Sequence, residues 1–168
     1  MSKFIEVKPL EFKRSPFTMG SDWMLITAEK GGKANAMTAA WGGLGFMWEK
    51  NVAFIVIRPQ RYTKGFIDDA ETFSLTFFDA GFKKMLGYMG TVSGRDEDKI
   101  QKSGLTVLHS GPTPYFEEAE AAIICKKLYA QGFRPECFIT EELNEKWYPK
   151  ADHHTLYIAE VTQILVKA

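Results

Sequence analysis

Short apolar runs and alternations of hydrophobic and polar residues recur along the whole chain, separated by turn residues. The pattern predicts β-strands at residues 23–28, 34–41, 52–58, 72–78, 105–109, 119–131 and 156–166. The run at 52–58 is rich in β-branched residues, so we expect both of its faces to be buried. At 72–78, phenylalanine and leucine alternate with threonine and serine, which is typical of a half-buried strand. The paired glycines of 29–33 predict a tight turn that joins the first two strands in a hairpin.

Short helices are predicted between the strands. The first begins at Thr63, a natural N-cap, and the others lie at 79–89, 96–102 and 136–147. The apolar positions of the second helix have the spacing of one helix face, which predicts a core or subunit contact; they are Phe82, Met85, Leu86 and Met89.

The order of these elements decides the fold class. The strands do not alternate regularly with long helices, so a doubly wound parallel sheet is not expected. The sequence instead predicts a mainly β protein, a closed or nearly closed antiparallel barrel with short helices at its edges. We expect a single domain over residues 1–168, because no linker or repeat divides the chain.

Composition narrows the class of protein. Lys and Arg together equal Asp and Glu at 21 each, which argues against a nucleic-acid binder or a protein of anionic membranes. Thirteen phenylalanines indicate a large core, an apolar pocket or a buried subunit interface. The start of the chain has no apolar signal segment, and the longest apolar run, at 52–57, is too short for a membrane helix. We therefore expect a soluble, cytoplasmic protein.

Several kinds of chemistry find no support in the sequence. His153 and His154 are adjacent, so in a strand they would point to opposite faces and not share a metal ion. Cys125 and Cys137 have no zinc-ligand spacing, and Cys125 lies in an apolar strand where a buried, inert thiol is expected. No Gly-x-Gly-x-x-Gly motif follows a strand, so a Rossmann nucleotide site is not indicated.

Two clusters of polar residues precede predicted helices and could bind phosphate. The first, where a strand turns into a helix, consists of Arg58, Arg61, Tyr62 and Thr63. The second consists of Ser93, Gly94, Arg95 and Lys99. Cations, hydroxyl groups and the N–H groups of a helix start are what a phosphate requires. The spacing is equally consistent with solvated arginines and ordinary helix caps.

The segment 35–43 is rich in small residues, namely Ala36, Ala39, Ala40, Gly42 and Gly43. Small side chains let another group approach the backbone closely, as a flat aromatic ring system would require. A neighbouring helix packed on the strand would explain the same composition.

Four segments, in this order along the chain, resemble the flavin reductase-like FMN-binding family and most of all its flavoredoxin branch. They are 35–41 (NAMTAAW), 58–63 (RPQRYT), 93–99 (SGRDEDK) and 152–161 (DHHTLYIAEV). The resemblance extends from about residue 17 to the C-terminus, and the first motif is the most specific. It implies an antiparallel Greek-key split barrel that forms a homodimer, with FMN bound near the dimer interface.

The resemblance also implies the site residues. The segment along the flavin contributes backbone and side-chain groups of Asn35, Met37, Thr38, Ala39, Ala40 and Trp41. Near the phosphate end of FMN it implies Arg58, Tyr62 and Thr63. As further FMN contacts it implies Ser93, Arg95 and Lys99. His154 lies on the nicotinamide or substrate side, and no side chain is required as a catalytic acid or base. Many relatives have glycine at the position of Ala159, so the added methyl group is expected to narrow the space beside the flavin.

Three functions follow as hypotheses. The first is an FMN-dependent NAD(P)H oxidoreductase that passes electrons from NADH or NADPH through FMN to a flavin, a metal complex or a protein. The second is an FMN electron carrier without nicotinamide activity of its own. The third is a barrel that binds another small molecule and has no redox role.

Overall fold

Strands form the frame of the molecule in the computed structural model, which describes residues 3–168. The strands are β1 (Phe4–Val7), β2 (Met24–Lys30), β3 (Lys33–Ala39), β4 (Gly42–Met47), β5 (Lys50–Ile57), β6 (Thr72–Phe77), β7 (Val107–Ser110), β8 (Thr113–Phe116), β9 (Ala121–Gly132) and β10 (Thr155–Lys167). The helices are α1 (Met19–Asp22), α2 (Tyr62–Asp69), α3 (Lys83–Thr91), α4 (Lys99–Ser103) and α5 (Glu141–Trp147).

Most of the strands belong to one antiparallel sheet with the order β3-β2-β6-β9-β10-β5-β4. β1 pairs with the far end of β10, and β7 and β8 form a separate hairpin. β3 and β4 are the two ends of this order, yet residues 40–41 connect them directly in the chain. The sheet therefore curls until its two edges meet at this connection, and the barrel is split there. The predicted antiparallel split barrel with short helices is confirmed.

Each predicted strand is present within a few residues of its expected bounds, but the sequence pattern missed β1, β4 and β8. β4 has the sequence GGLGFM, in which three glycines weaken the strand pattern. β8 contains Pro114, a residue that is typical of chain breaks and so hides the strand in the sequence pattern. Proline is tolerated there because β8 belongs to a two-stranded hairpin and therefore has one edge without a partner strand. On that edge no backbone N–H group is needed to pair with a neighbouring strand.

Two local expectations were wrong. β6 is buried on both faces, not half-buried, because β8 covers its polar side and Ser74 Oγ donates a 2.6 Å hydrogen bond to the carbonyl of Pro114. Thr63 is not the N-cap of α2, since that position belongs to Arg61 and Thr63 is the second helical residue. The buried hydroxyl of Thr63 is engaged by Asn35 instead of by the helix backbone.

The main core fills the barrel between its strands, and a second apolar cluster lies outside it under α3. Leu86 and Met89 of α3 are buried against Leu25 and Ala36, so the predicted apolar face of this helix is a core contact. Ala159 is completely buried in the main core cluster.

Three observations concern membrane spans, metal sites and reactive cysteines. Within residues 3–168, no helix combines the length and the apolar character needed to cross a lipid bilayer. In the same part of the chain, no three His, Cys, Asp or Glu side chains converge as metal ligands would. Cys125 is fully buried, and burial raises the pKa of its thiol, which keeps it protonated and unreactive.

Candidate functional site

Two of the polar segments noted in the sequence meet around one pocket of about 160 Å³. The start of α2 lies on one side, and the residues between α3 and α4 lie on the other. Five of the predicted site residues line this pocket, and they are Met37, Tyr62, Thr63, Ser93 and Lys99. Arg61 and Gly94 line it as well.

Lys99 is the most unusual group in the pocket, because a lysine side chain is only 3% exposed. Its Nζ donates hydrogen bonds to the carbonyl oxygens of Met89 (2.8 Å) and Val92 (3.0 Å), at the C-terminal end of α3, where a cation is favourable. Burial, with the nearby charge of Arg61, lowers the pKa of Lys99 to about 8. An ammonium has three N–H donors, and these carbonyls take two, so the third can serve a ligand.

Arg61 places a second cation beside Lys99. Its Nη1 donates a 2.9 Å hydrogen bond to the carbonyl of Gly90, also at the end of α3. Burial lowers the pKa of Arg61, but a guanidinium stays protonated in any case. The positive charges of Lys99 and Arg61 repel each other, and their removal from water makes this repulsion unfavourable for folding. An anion bound in the pocket would offset the repulsion.

A buried hydrogen bond lies directly behind the lining residue Thr63. Asn35, only 3% exposed, donates from Nδ2 to Thr63 Oγ1 at 2.8 Å. The backbone at Gly94 passes directly over this pair, since a Cβ atom there would lie 2.3 Å from Asn35 Oδ1 and 3.0 Å from Tyr62 Cδ1. No residue with a side chain fits at position 94 without displacing Asn35.

The donors around this pocket suit a phosphate group. They comprise an ammonium, a guanidinium, the hydroxyl groups of Thr63 and Ser93, and a glycine backbone that approaches closely. Such mixed sets of charged and backbone donors are characteristic of phosphate sites. The residues present therefore fit the anionic end of FMN.

The structure places Arg58 and Arg95 away from this pocket. Arg58 pairs with Asp152 and donates from Nη2 to the carbonyl of Trp147 at 2.8 Å. It thus ties the end of β5 to the segment before β10. Arg95 lies 4.8 Å from the ring centre of Tyr62 and borders an adjoining groove.

The other end of the predicted flavin segment leads to an aromatic cluster. Trp41, at the split in the barrel, lies 4.9 Å from the ring of Trp147 and 5.2 Å from that of His154. Trp41 and Trp147 are 41% and 40% exposed, which is high for tryptophan and leaves apolar surface open. Between Met37 and Trp41 the extended chain spans about 13 Å. Residues 37–41 therefore connect an anion pocket to an exposed aromatic surface.

The composition of this segment has two causes. Ala36 packs against α3, as the neighbouring-helix interpretation expected. Thr38 also faces that helix, and its Oγ1 donates a 2.6 Å hydrogen bond to the carbonyl of Leu86. Ala39 and Ala40 are only half-buried, so their small size leaves room at the split.

His154 is buried in the aromatic cluster and bonds to Tyr148, with 2.8 Å between Nδ1 and the phenol oxygen. Burial, with the nearby charge of Arg58, lowers the pKa of His154 to about 4. The imidazole is therefore neutral near pH 7. It can orient a ligand by hydrogen bonding but is a poor proton donor.

The pKa of His154 predicts a pH dependence of folding. Between pH 6.5 and 4 the unfolded chain binds a proton at this side chain and the folded chain does not, so stability falls as the pH falls through this range. Over this range we expect the free energy of unfolding of the variant His154→Asn to fall by about 2 kcal/mol less than that of the wild-type protein. Urea unfolding at several pH values measures this. Parallel curves for the two proteins would contradict the assignment.

Sequence reasoning missed the partners of His154. Trp147 and Tyr148 shape its surroundings, and Asp152 is held by Arg58 and by Gln60, whose hydrogen bond lowers the pKa of that carboxyl. Trp147 and Tyr148 lie just before the two histidines, and this local density of rings was the available signal. The packing of Trp147 and His154 on Trp41, more than one hundred positions away in sequence, has no local signature.

Comparisons with known proteins find solved structures with the same fold. A crystal structure from Shewanella baltica OS155, described as an FMN-binding domain of a flavin reductases-like enzyme, is similar with a TM-score of 0.72 at 18% identity, covering 99% of this chain and 78% of that one. A flavoredoxin from Methanosarcina acetivorans gives 0.69 at 20% identity, covering 94% and 75%. The NADH:FAD oxidoreductase of Streptomyces globisporus C-1027, solved with NAD and FAD fragments, gives 0.64 at 14% identity, covering 85% and 73%.

A search of curated proteins finds no match. Residues 17–168, by contrast, match the family described as flavin reductase like domain. This match includes the four segments that carry the sequence resemblance, namely 35–41, 58–63, 93–99 and 152–161. The chain therefore belongs to the flavin reductase like domain family.

Proposed function

We propose that this protein binds FMN and works as an FMN-dependent NAD(P)H oxidoreductase. The observation that carries the proposal is a pair of cations, buried Lys99 and half-buried Arg61, in a pocket from which residues 37–41 lead to the split in the barrel. Bound FMN supplies the redox chemistry, taking a hydride from NADH or NADPH and yielding electrons to a flavin, a metal complex or a protein.

The side chains of the pocket hold the phosphate end. Lys99 and Arg61 offset its charge, and Ser93 adds a hydroxyl group. Thr63 Oγ1 accepts the hydrogen bond from Asn35, so its own O–H is free to donate to a ligand. Tyr62 forms the wall between this pocket and Arg95.

The segment of Met37, Thr38, Ala39, Ala40 and Trp41 holds the flat ring. Because the side chains of Ala39 and Ala40 are small, the backbone groups of this segment can donate to the polar edge of the ring. Arg58 acts indirectly, since its pairing with Asp152 fixes the segment that carries His154.

In this proposal the nicotinamide binds on the side of the neutral His154. The structural similarity to an NADH:FAD oxidoreductase that was solved with NAD supports this donor. The similarity to a flavoredoxin supports the second reading, in which FMN is bound but a partner protein delivers the electrons.

An absorbance spectrum distinguishes the readings. The purified protein is incubated with FMN, desalted, and titrated without oxygen, first with NADH and then with NADPH. We expect a retained flavin spectrum that is bleached by one of the nicotinamides. Bleaching by dithionite alone would make the protein an electron carrier. A colourless protein after desalting would contradict FMN binding and favour a barrel without redox function.

A homodimer is the second part of the proposal. Phe46 (72% exposed), Met47 and Trp48 project from the edge strand β4 and its turn, and Tyr129 contacts Trp48 with 6.4 Å between ring centres. An unpaired edge strand with exposed aromatic residues is unfavourable in a monomer. A second copy of the chain would cover it.

The variant Phe46→Glu tests this interface. We expect it to shift the protein from dimer to monomer in sedimentation velocity, since a carboxylate would be buried at an apolar contact. Leu10→Glu is the matched control, because Leu10 is fully exposed and lies outside β4. A wild-type protein that sediments as a monomer, or a Phe46→Glu dimer of unchanged stability, would refute the assignment.

A further inference from the structure

A pocket of about 310 Å³ lies beside the aromatic cluster and has no part in the proposed function. It lies where β9 ends and β10 begins, and the turn between β9 and α5 supplies most of its lining. The side chains that shape it are Phe133, Arg134, Cys137, Phe138 and Leu156. Of the residues that the structure describes, none lines both this pocket and the phosphate pocket. The volume lies at the lower end of the range of about 300–1,000 Å³ that small-molecule sites occupy.

Two phenylalanine rings give this pocket an aromatic corner. The rings of Phe133 and Phe138 have their centres 6.3 Å apart and stand at 84° to each other. Both side chains are only partly buried, and Leu156 adds further apolar surface to the lining. Aromatic rings prefer edge-to-face and offset-stacked contacts, and a corner of two perpendicular rings offers both to a third ring. The pocket therefore favours a flat aromatic ligand.

The turn that carries this corner is anchored to the aromatic cluster. The N–H group of Phe133 donates a 2.8 Å hydrogen bond to the carbonyl of His154. The ring of Phe138 lies 5.7 Å from that of Tyr148, which is itself buried. Because the corner is formed before a ligand arrives, little conformational entropy is lost when a ligand binds.

Arg134 places a cation with unused donors at the rim of the pocket. Its side chain is 61% exposed, and its ion pair with Glu136 is loose, with 3.8 Å between Nη1 and Oε1. Within residues 3–168 the guanidinium makes no hydrogen bond. A guanidinium carries five N–H donors in a planar fork that matches the two oxygens of a carboxylate. Arg134 can therefore bind the acidic group of a ligand whose ring lies in the aromatic corner.

We infer that this pocket binds a small aromatic carboxylate, with its ring in the corner of Phe133 and Phe138 and its carboxylate on Arg134. The ligand is additional to FMN, because the pocket is separate from the one assigned to the FMN phosphate. The inference does not depend on FMN binding. Cys137 forms part of the lining and is an exposed thiol, so a bound ligand shields it from reagents in solution.

Titration calorimetry with 2-naphthoate tests the recognition of the carboxylate. We expect the wild-type protein to bind it with a Kd of about 1 mM or tighter, which a modest contribution from each non-hydrogen atom already provides. Arg134→Gln should weaken 2-naphthoate about tenfold and leave the neutral analogue 2-naphthylmethanol within about twofold, because it removes the charge-assisted contact but not the aromatic corner. The matched control Lys150→Gln removes an exposed charge that does not line the pocket and should change neither affinity.

Alkylation of Cys137 by iodoacetamide gives a second readout. The chain has two cysteines, and Cys125 is fully buried, so the reaction reports Cys137 alone. At three times its Kd, 2-naphthoate should slow the reaction of the wild-type protein about fourfold. The same concentration should slow the reaction of Arg134→Gln by less than about twofold, since a tenfold weaker ligand leaves most of the pockets empty.

The outcomes decide between this pocket and its rivals. Protection of Cys137 that persists with excess FMN and is lost in Arg134→Gln would support the inference. An alkylation rate that 2-naphthoate does not change, or an affinity that Arg134→Gln and Lys150→Gln reduce equally, would overturn it. Loss of 2-naphthoate binding in excess FMN would place the ring in the flavin site and overturn it as well. A protein that protects Cys137 in this way but takes up no FMN would support the inference and refute the proposed function.

Discussion

Replacing Lys99 with methionine is expected to weaken FMN binding by one to two orders of magnitude. Methionine fills a similar volume but provides no charge and no donor. A hydrogen bond to a charged group contributes about 1.5–3 kcal/mol, and about 1.4 kcal/mol corresponds to a tenfold change in affinity. Fluorescence titration of FMN measures the change, and circular dichroism shows whether the variant is folded.

The pKa of Lys99 provides a second readout of the same contact. Because it lies at about 8, the ammonium loses its proton as the pH rises above this value. Wild-type affinity for FMN should therefore fall from pH 7 to pH 9, and Lys99→Met should show a flatter profile.

The control for Lys99 lies on the same helix. The side chain of Lys102 is 61% exposed and pairs with Glu97, so Lys102→Met should leave FMN affinity within about twofold. If Lys99→Met binds FMN as tightly as Lys102→Met does, then the buried amine only stabilises the end of α3, and the phosphate lies elsewhere.

Replacing Gly94 with alanine is the second change with a large expected effect. The new Cβ atom would lie 2.3 Å from Asn35 Oδ1, and Asn35 cannot move without breaking its buried bond to Thr63. We expect a loss of about 1–3 kcal/mol in the free energy of unfolding, typical of an overpacked site. FMN affinity should fall at least about tenfold, because the loop that carries Ser93 is displaced.

Gly87→Ala is the matched control for this substitution. Gly87 lies within α3, and a Cβ atom there meets nothing within 4 Å. Alanine should raise the stability by about 0.5–1 kcal/mol, since glycine is a poor helix former. Urea unfolding and FMN titration of both variants check the pair. A Gly94→Ala protein with wild-type stability and affinity would show that the loop does not depend on this close approach.

The fold class and most elements followed from the sequence because they depend on local patterns. The alternation at 72–78 and the glycine pair of the β2–β3 turn are readable within a few residues. β4 and β8 were missed because glycine and proline hide a strand whose stability comes from its neighbours. The burial of Ser74 likewise depends on Pro114, which is forty positions away.

The candidate site divides in the same way. The sequence by itself determined which segments the proposed site is built from, since hydroxyl groups, cations and small residues are concentrated in them and carry the family resemblance. Only the tertiary structure decided which of these groups meet. It brought Thr63 and Lys99 to one pocket and paired Thr63 with Asn35, and it turned Arg58 toward Asp152. The physical reason is that pattern and propensity act between near neighbours, whereas the pocket is formed by sheet curvature and packing between residues far apart in the chain.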